Sequence, residues 1–193
     1  MRSRDIILEA TRTVIGEAGF DGVSIAAVAR HAGVSRQTVY SIFGTREDLV
    51  SQAISDRLTT LSGAFADLLA AADTPLALMV EILVQARDRI HNDPLLRVLT
   101  LSGGSNPIFD PGAAQRARDY AAQLIAPAVT RFPQLEPHLD FLADIGVHVG
   151  WSVLCLDDSR SRPDPELRAF LTTWLAPVMA SLEPPQAPEP GTL

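Results

Sequence analysis

The stretch "VARHAGVSRQTVYSIFGTREDLV", Val28 to Val50, decides how the chain is read. Ser24, just upstream, is placed to cap a short helix whose inner face is Ile25, Val28 and Ala29. Gly33 allows a tight turn, and Ser35 caps a second short helix a few residues later. At about 100° per residue with Val39 at zero, Ile42 and Phe43 fall within roughly 60° and make an inner face. Gln37 and Ser41 then point within roughly 20° of directly outward, with Thr38 and Tyr40 on the flanks. Arg36 angles inward by this count, but its stem is long enough to carry the guanidinium to the rim. Two short helices joined by a turn containing glycine form a helix-turn-helix.

Such a face suits a duplex groove. Its centre line offers hydrogen-bonding groups to base edges, and its flanks offer hydroxyls to phosphates. The Gln37 amide matches adenine N6 and N7. Thr45 and Asp48 make a capping box at the next helix start, where Arg46 stands beside free N–H groups that favour an anion. The candidate DNA-contacting residues are Ser24, Ser35, Arg36, Gln37, Thr38, Tyr40, Ser41 and Arg46. The plainer reading of each one alone is solvated helix surface.

Charge bears on this. The 193 residues carry a net charge of −7, yet residues 1–50 hold as many arginines as acids. The whole excess of acid lies beyond residue 50, so DNA must be met by the neutral N-terminal end. A single cysteine, Cys155, excludes an intrachain disulfide. Asp5, Glu9, Arg12 and Glu17 interrupt any signal-peptide core, and Asp140, Asp144 and His148 interrupt the most apolar later stretch. The expectation is a soluble cytoplasmic protein that does not use a membrane.

Helix signals are dense and strand signals nearly absent. Asp93-Pro94, Asp110-Pro111, Asp164-Pro165 and Thr74-Pro75 each put a capping side chain before a proline at the first helical position. In the first helix Ile7, Thr11, Val14, Ile15 and Ala18 form one buried stripe, ended by a left-handed Gly19. Helices are predicted near 3–18, 25–32, 36–43, 46–72, 75–91, 94–102, 111–131, 134–157 and 165–182. The fold class is all-α, with a three-helix helix-turn-helix head at 1–48 and a larger helical body at 49–182. Gly103–Asp110 reads as a loop, and 183–193 as a disordered Pro-rich tail.

These residues resemble the DNA-binding domain of the TetR (tetracycline repressor-like) transcriptional regulators. The resemblance runs over roughly the first fifty residues through Gly19-Phe20, Ala32-Gly33-Val34-Ser35, Val39-Tyr40, Phe43, Arg46 and Glu47-Asp48-Leu49. Arg46 stands where lysine is usual, and Ser41-Ile42 where an aromatic or His pair is more common. The resemblance implies a homodimer, joined through the last two long helices, on a double-stranded DNA operator. It also implies a small-molecule pocket among the middle helices and release of DNA when the fourth helix shifts.

In the body, Gly146 and Gly150 permit close approach of another helix, and Phe170, Trp174 and Val178 lie on a wide apolar face of the last helix. These five residues are the candidate dimer interface. Asp140, Asp144, His148, Trp151 and Cys155 recur on one side, a partner face or polar wall more than a metal site, since their spacing is not compact. Phe65, Leu69, Met79, Leu83, Arg87, Phe109, Tyr120 and Trp151 are the candidate pocket lining, with Arg87 the polar anchor for an acidic or hydrogen-bonding effector. No metal or cofactor is expected. The chain is read as a ligand-responsive regulator, a repressor more than an activator. Two alternatives stand beside it: a regulator controlled by a protein partner, and a carrier or enzyme with an incidental helix-turn-helix. No nucleophile elbow, phosphate-binding loop or His-Glu-x-x-His favours an enzyme.

Overall fold

The computed structural model describes residues 2–63, 65–100, 112–157 and 162–182. Among them every regular element is helical: α1 (Arg2–Ala18), α2 (Ile25–Ala32), α3 (Arg36–Phe43), α4 (Arg46–Ser62), α5 (Phe65–Ala71), α6 (Pro75–Asn92), α7 (Pro94–Arg97), α8 (Ala113–Ile125), α9 (Leu139–Leu156) and α10 (Asp164–Ser181). Short 3-10 turns follow α1, α7 and α8 and precede α9. The expected loop at Gly103–Asp110, the Asp110-Pro111 cap and the Pro-rich tail lie outside the described residues.

There are two hydrophobic cores. The head core joins Ile7, Leu8, Val14 and Ile15 of α1 to Val28, Val39 and Phe43. It draws on α4 as far as Ala53, and it takes in Leu95 of α7. Thr11 is fully buried because its hydroxyl donates to the Ile7 carbonyl at 2.8 Å; Ala18, expected in the same stripe, is exposed. Gly19 has φ 66° with ψ −175°, so the helix ends on a glycine-only extended turn, not the left-handed helical one expected. The body core is centred on α6, which packs against both α9 and α10.

Several boundaries differ from those predicted, each for a local reason. The helix expected over 46–72 stops at Gly63 and resumes at Phe65, which turns its ring into the body core. Gly costs about 1 kcal/mol relative to Ala inside a helix, so the break falls at a cheap position. The α4 rod is thus about 26 Å long at 1.5 Å per residue, shorter than a continuous helix over 46–72 would be. The helix expected over 111–131 gives way to a 3-10 turn at Ala126–Thr130, containing Pro127, and Pro137 delays α9 until Leu139. Thr74 and Asp93 cap their helices through Ala77, Leu95 and Leu96 N–H groups, as read from sequence. Asp164 does not cap α10; its carboxylate is turned to Arg87 on α6.

The stretch Pro133–Leu156 is long and apolar enough to cross a membrane by length and composition, its most apolar 18 residues having a mean hydropathy of 1.5. Its inner residues Leu142, Val149 and Val153 belong to the body core. Its outer residues include the exposed Phe141, Trp151 and Leu156.

Candidate nucleic-acid interface and ligand cavity

The head presents α3 as a pinned helix. Gly33, at φ 66° and ψ 30°, makes the left-handed turn that only glycine adopts without strain. Ser24 Oγ accepts the Ala27 N–H at 3.1 Å, and Ser35 Oγ accepts the Thr38 N–H at 3.0 Å. Ser35 and Thr38 hydroxyls lie 2.9 Å apart, and Ser41 Oγ donates to the Thr38 carbonyl. The serine hydroxyls therefore fix the backbone first, and any contact to DNA uses what capacity remains.

Below, Val39 and Phe43 are buried; above, Arg36, Gln37, Tyr40 and Ser41 are exposed and Thr38 is half-buried. Arg36 stands further out than counted from sequence. Ile42, expected on the inner face, is 38% exposed. It sits at the edge of the buried sector in the last turn of an eight-residue helix, where little packs over it. The result is an outward row of amide, guanidinium and hydroxyl groups on a helix whose own caps and core leave it no freedom to turn.

Arg46 is held differently from the rest. Its Nε donates to the Val23 carbonyl at 2.8 Å, its Nη2 to the Phe20 carbonyl, and its Nη1 faces Glu47 at 3.4 Å. The guanidinium thus ties the start of α4 to the connection between α1 and α2. Arg46→Ala should lower the stability of the head by about 2 kcal/mol, since charged hydrogen bonds to carbonyls are worth about 1.5–3 kcal/mol each and these are only partly buried. Thermal unfolding checks this. An unchanged melting temperature with weakened DNA binding would mean that Arg46 serves phosphate alone.

Two further ties hold α4, one to the head and one to α7. Arg12 of α1 bonds Asp56 of α4 at 2.6 Å and also Glu9. Burial by itself lowers the Arg12 pKa, and the bonds to Glu9 and Asp56 outweigh it, so the pKa ends above the ordinary value. Arg57 of α4 bonds Asp93 at 2.6 Å, the buried carboxylate that also caps α7.

Where α4 ends, a cavity of about 390 Å³ opens among α4, α5, α6 and α8. Thr59, Gly63, Phe65, Ala66, Leu69, Leu78, Ile82, Tyr120, Gln123, Leu124, Pro127 and Ala128 line it. Phe65, Leu69 and Tyr120 of the sequence-based set stand on this wall. Met79 borders a much smaller crevice of about 10 Å³ under α6, and Leu83 is packed in the core near Gly150. Trp151 faces outward on α9, and Phe109 lies outside the described residues.

Arg87 is not on the cavity wall. It is 1% exposed, and it donates to the Arg162 carbonyl at 2.8 Å and to Asp164 at 2.5 Å. As an effector anchor it is misplaced, because the long side chain follows the face of α6 that meets α10. Sequence reasoning missed Thr59 and Gln123. Neither carried a signal in the sequence, since polar Ser55 and Asp56 adjoin Thr59 on its helix face and Asp119 adjoins Gln123.

On the far side of the body, α9 and α10 expose Phe141, Trp151, Leu156, Phe170 and Trp174. The Phe170 and Trp174 rings are 5.5 Å apart. The wide apolar face read on α10 is two stripes: Leu167, Leu171, Leu175 and Met179 inward, Phe170 and Trp174 outward, with Val178 half-buried. A side chain at Gly146 would meet nothing within 4 Å, whereas one at Gly150 would meet Leu83 at 3.4 Å. Gly150 therefore serves contact with α6 within the protomer. Asp144 pairs with Arg118, and His148 bonds back to the Asp144 carbonyl. Among the described residues no three His, Cys, Asp or Glu side chains are grouped to hold a metal ion.

Residues 7–53 match the profile of bacterial regulatory proteins of the tetR family. The transcriptional repressor BdcR of Escherichia coli is 30% identical over 125 residues, covering 64% of this chain and 60% of that one. The matches span between 27% and 60% of the length of the curated relatives. Among solved structures, the tetR-family repressor AlkX from Dietzia sp. superposes with a TM-score of 0.67 at 22% identity, over 93% of this chain and 97% of that one. A cysteine mutant of the regulator CifR, solved with 26-base-pair operator DNA, gives 0.57 at 21% identity over 90% and 95%. The tetR-family profile thus falls on the head, and the chain shares the fold of these solved tetR-family structures along nearly its whole length.

Proposed function

We propose that the chain is a ligand-responsive transcriptional repressor that binds a pseudo-palindromic operator as a homodimer and is released by a small molecule. The observation that carries this reading is the α3 face, where Arg36, Gln37, Tyr40 and Ser41 stand exposed over a buried Val39 and Phe43. A recognition helix needs this combination, because base contacts discriminate only when the backbone beneath them is fixed. Gln37 reads a base edge; Tyr40, Thr38 and the capping serines position the helix on phosphates. Two-fold symmetry in the protein calls for two-fold symmetry in the site.

The ligand response is supported by the path from cavity to head. Thr59 of α4 and Gly63 just past its end border the cavity, while Arg46, Asp56 and Arg57 of α4 bond the head and α7. A molecule that shifts α4 at one end moves bonded groups at the other, and the two heads of a dimer then lose their spacing.

The test is a competition experiment. Operator fragments are first selected by binding from random duplexes. Gln37→Ala should then reduce the preference for the selected site over random DNA by about 10- to 100-fold, the equivalent of about 1–3 kcal/mol for one bidentate base contact. The salt dependence should stay as it was, since no phosphate contact is lost. Equal losses on selected and random DNA would remove Gln37 from the reading face.

A further inference from the structure

The cavity is graded from floor to rim. Phe65, Leu78, Ile82 and Ala128 are buried at its floor, and all four are apolar. Thr59, Gly63, Ala66, Gln123 and Pro127 at the rim are exposed, and the half-buried Tyr120 stands on the same wall. The polar side chains among these described lining residues are a threonine, a tyrosine and a glutamine, all uncharged hydrogen-bonding groups. The Tyr120 hydroxyl donates to the Leu58 carbonyl at 3.0 Å, so the polar end of the cavity adjoins the backbone of α4.

We infer that this cavity takes an uncharged amphiphile, an apolar body seated on the floor and a hydroxyl or amide head that donates at Thr59 and Tyr120 and bonds Gln123. The inference rests on the regulator reading only in calling that molecule the effector. Three features carry it. The volume lies within the range of about 300–1,000 Å³ usual for small-molecule sites. An apolar floor rewards an apolar body, whereas an ionised group carried into it loses its hydration without gaining an opposite charge from the described lining residues. Arg87, the cation of α6 nearest in sequence to Ile82 and fully buried, is committed to Arg162 and Asp164 on the α10 side. The excess of acid beyond residue 50 further disfavours anions at the rim. Because the polar head meets α4 beside Leu58 and Thr59, binding acts on the helix that also carries Arg46, Asp56 and Arg57.

The probe is N-phenyl-1-naphthylamine, a neutral dye that brightens in apolar sites, titrated into the full chain without DNA. It should bind saturably, and both Gln123→Trp at the rim and Ala128→Leu at the floor should weaken it. Decanol should displace it at concentrations about tenfold or more below those needed for decanoate or decylammonium, reflecting the desolvation of the charged heads. Displacement by either charged probe at the same or lower concentration as decanol overturns the inference. So does a dye signal that neither variant changes, which would place the dye on the exposed aromatic face of α9 and α10. Gln123→Trp lies at an exposed position, so it reports even if Ala128→Leu fails to fold. Operator binding by the unloaded protein is measured separately: its absence would end the regulator reading and leave the dye result standing.

Discussion

Replacing Arg87 by alanine should destabilise the protein by about 3 kcal/mol, seen as a lower urea midpoint with an unchanged slope. The side chain is 1% exposed, and its two terminal nitrogens join α6 to the first turn of α10 through Arg162 and Asp164. Truncation removes a buried stem from the core, leaves the Arg162 carbonyl without this donor and separates an ion pair. Asp164 is 43% exposed and can be rehydrated, which keeps the loss at the lower end of the 3–5 kcal/mol expected for breaking buried pairs. The asymmetry gives a sharper form of the test. Asp164→Ala, at a position that looks harmless from outside, takes a carboxylate partner from the buried guanidinium. It should cost at least as much as Arg87→Met, which keeps the stem and removes the charge. Against a total stability of about 5–15 kcal/mol for a typical domain, either change is large. Dye affinity per folded molecule should stay as in the parent, since Arg87 is absent from the cavity wall. A variant with full stability and lost dye binding would return Arg87 to the effector.

The same pair of helices has a second tie. Arg168 of α10 bonds both oxygens of Glu81 on α6, at 2.5 and 3.2 Å, and that bond raises the Arg168 pKa above its ordinary value. This second pair is partly solvent-exposed, so its separate contribution is small beside that of Arg87. It nevertheless keeps α10 in register, which matters for what the outer side of α10 presents.

What the sequence made legible was decided by how local each signal was. The α2–turn–α3 unit needs only Ser24, Gly33, Ser35 and the spacing of Val28, Val39 and Phe43, all within twenty residues, and it stands as read. The cavity depended on which faces of α4, α5, α6 and α8 meet, which no single period encodes. Arg87 illustrates the difference. A lone arginine on an apolar helix looks like a ligand anchor until the partner 77 residues away in sequence is known. Leu95 is another case: it was read simply as part of a body helix, yet it packs into the head core. Likewise the two stripes of α10 read as one wide apolar face, because sequence periodicity does not say which half the protomer covers itself.

That uncovered half leads to the remaining large effect. Phe170→Glu combined with Trp174→Glu should convert the proposed dimer to a monomer in sedimentation at micromolar concentration. Phe170 and Trp174 are 42% and 48% exposed, and Phe141, Trp151 and Leu156 of α9 are also exposed. Large apolar side chains exposed on two long helices that both pack on α6 are unusual on a free surface. Burying an aromatic side chain fully is worth about 1.5–3 kcal/mol, and an isologous contact repeats each one in both protomers. Two substitutions therefore remove four half-exposed rings from the proposed interface and place four carboxylates against each other in a body already rich in acid. The protomer itself should survive, because the inner stripe of Leu167, Leu171, Leu175 and Met179 is untouched. Helical content at low temperature checks that point, while apparent stability loses its dependence on protein concentration. Operator affinity should fall by about 100-fold or more, since a monomer holds one half-site with one α3 and forfeits the second. A double variant that still sediments as a dimer would move the interface elsewhere, and a parent protein that is monomeric on its own and on DNA would remove the two-fold reading altogether.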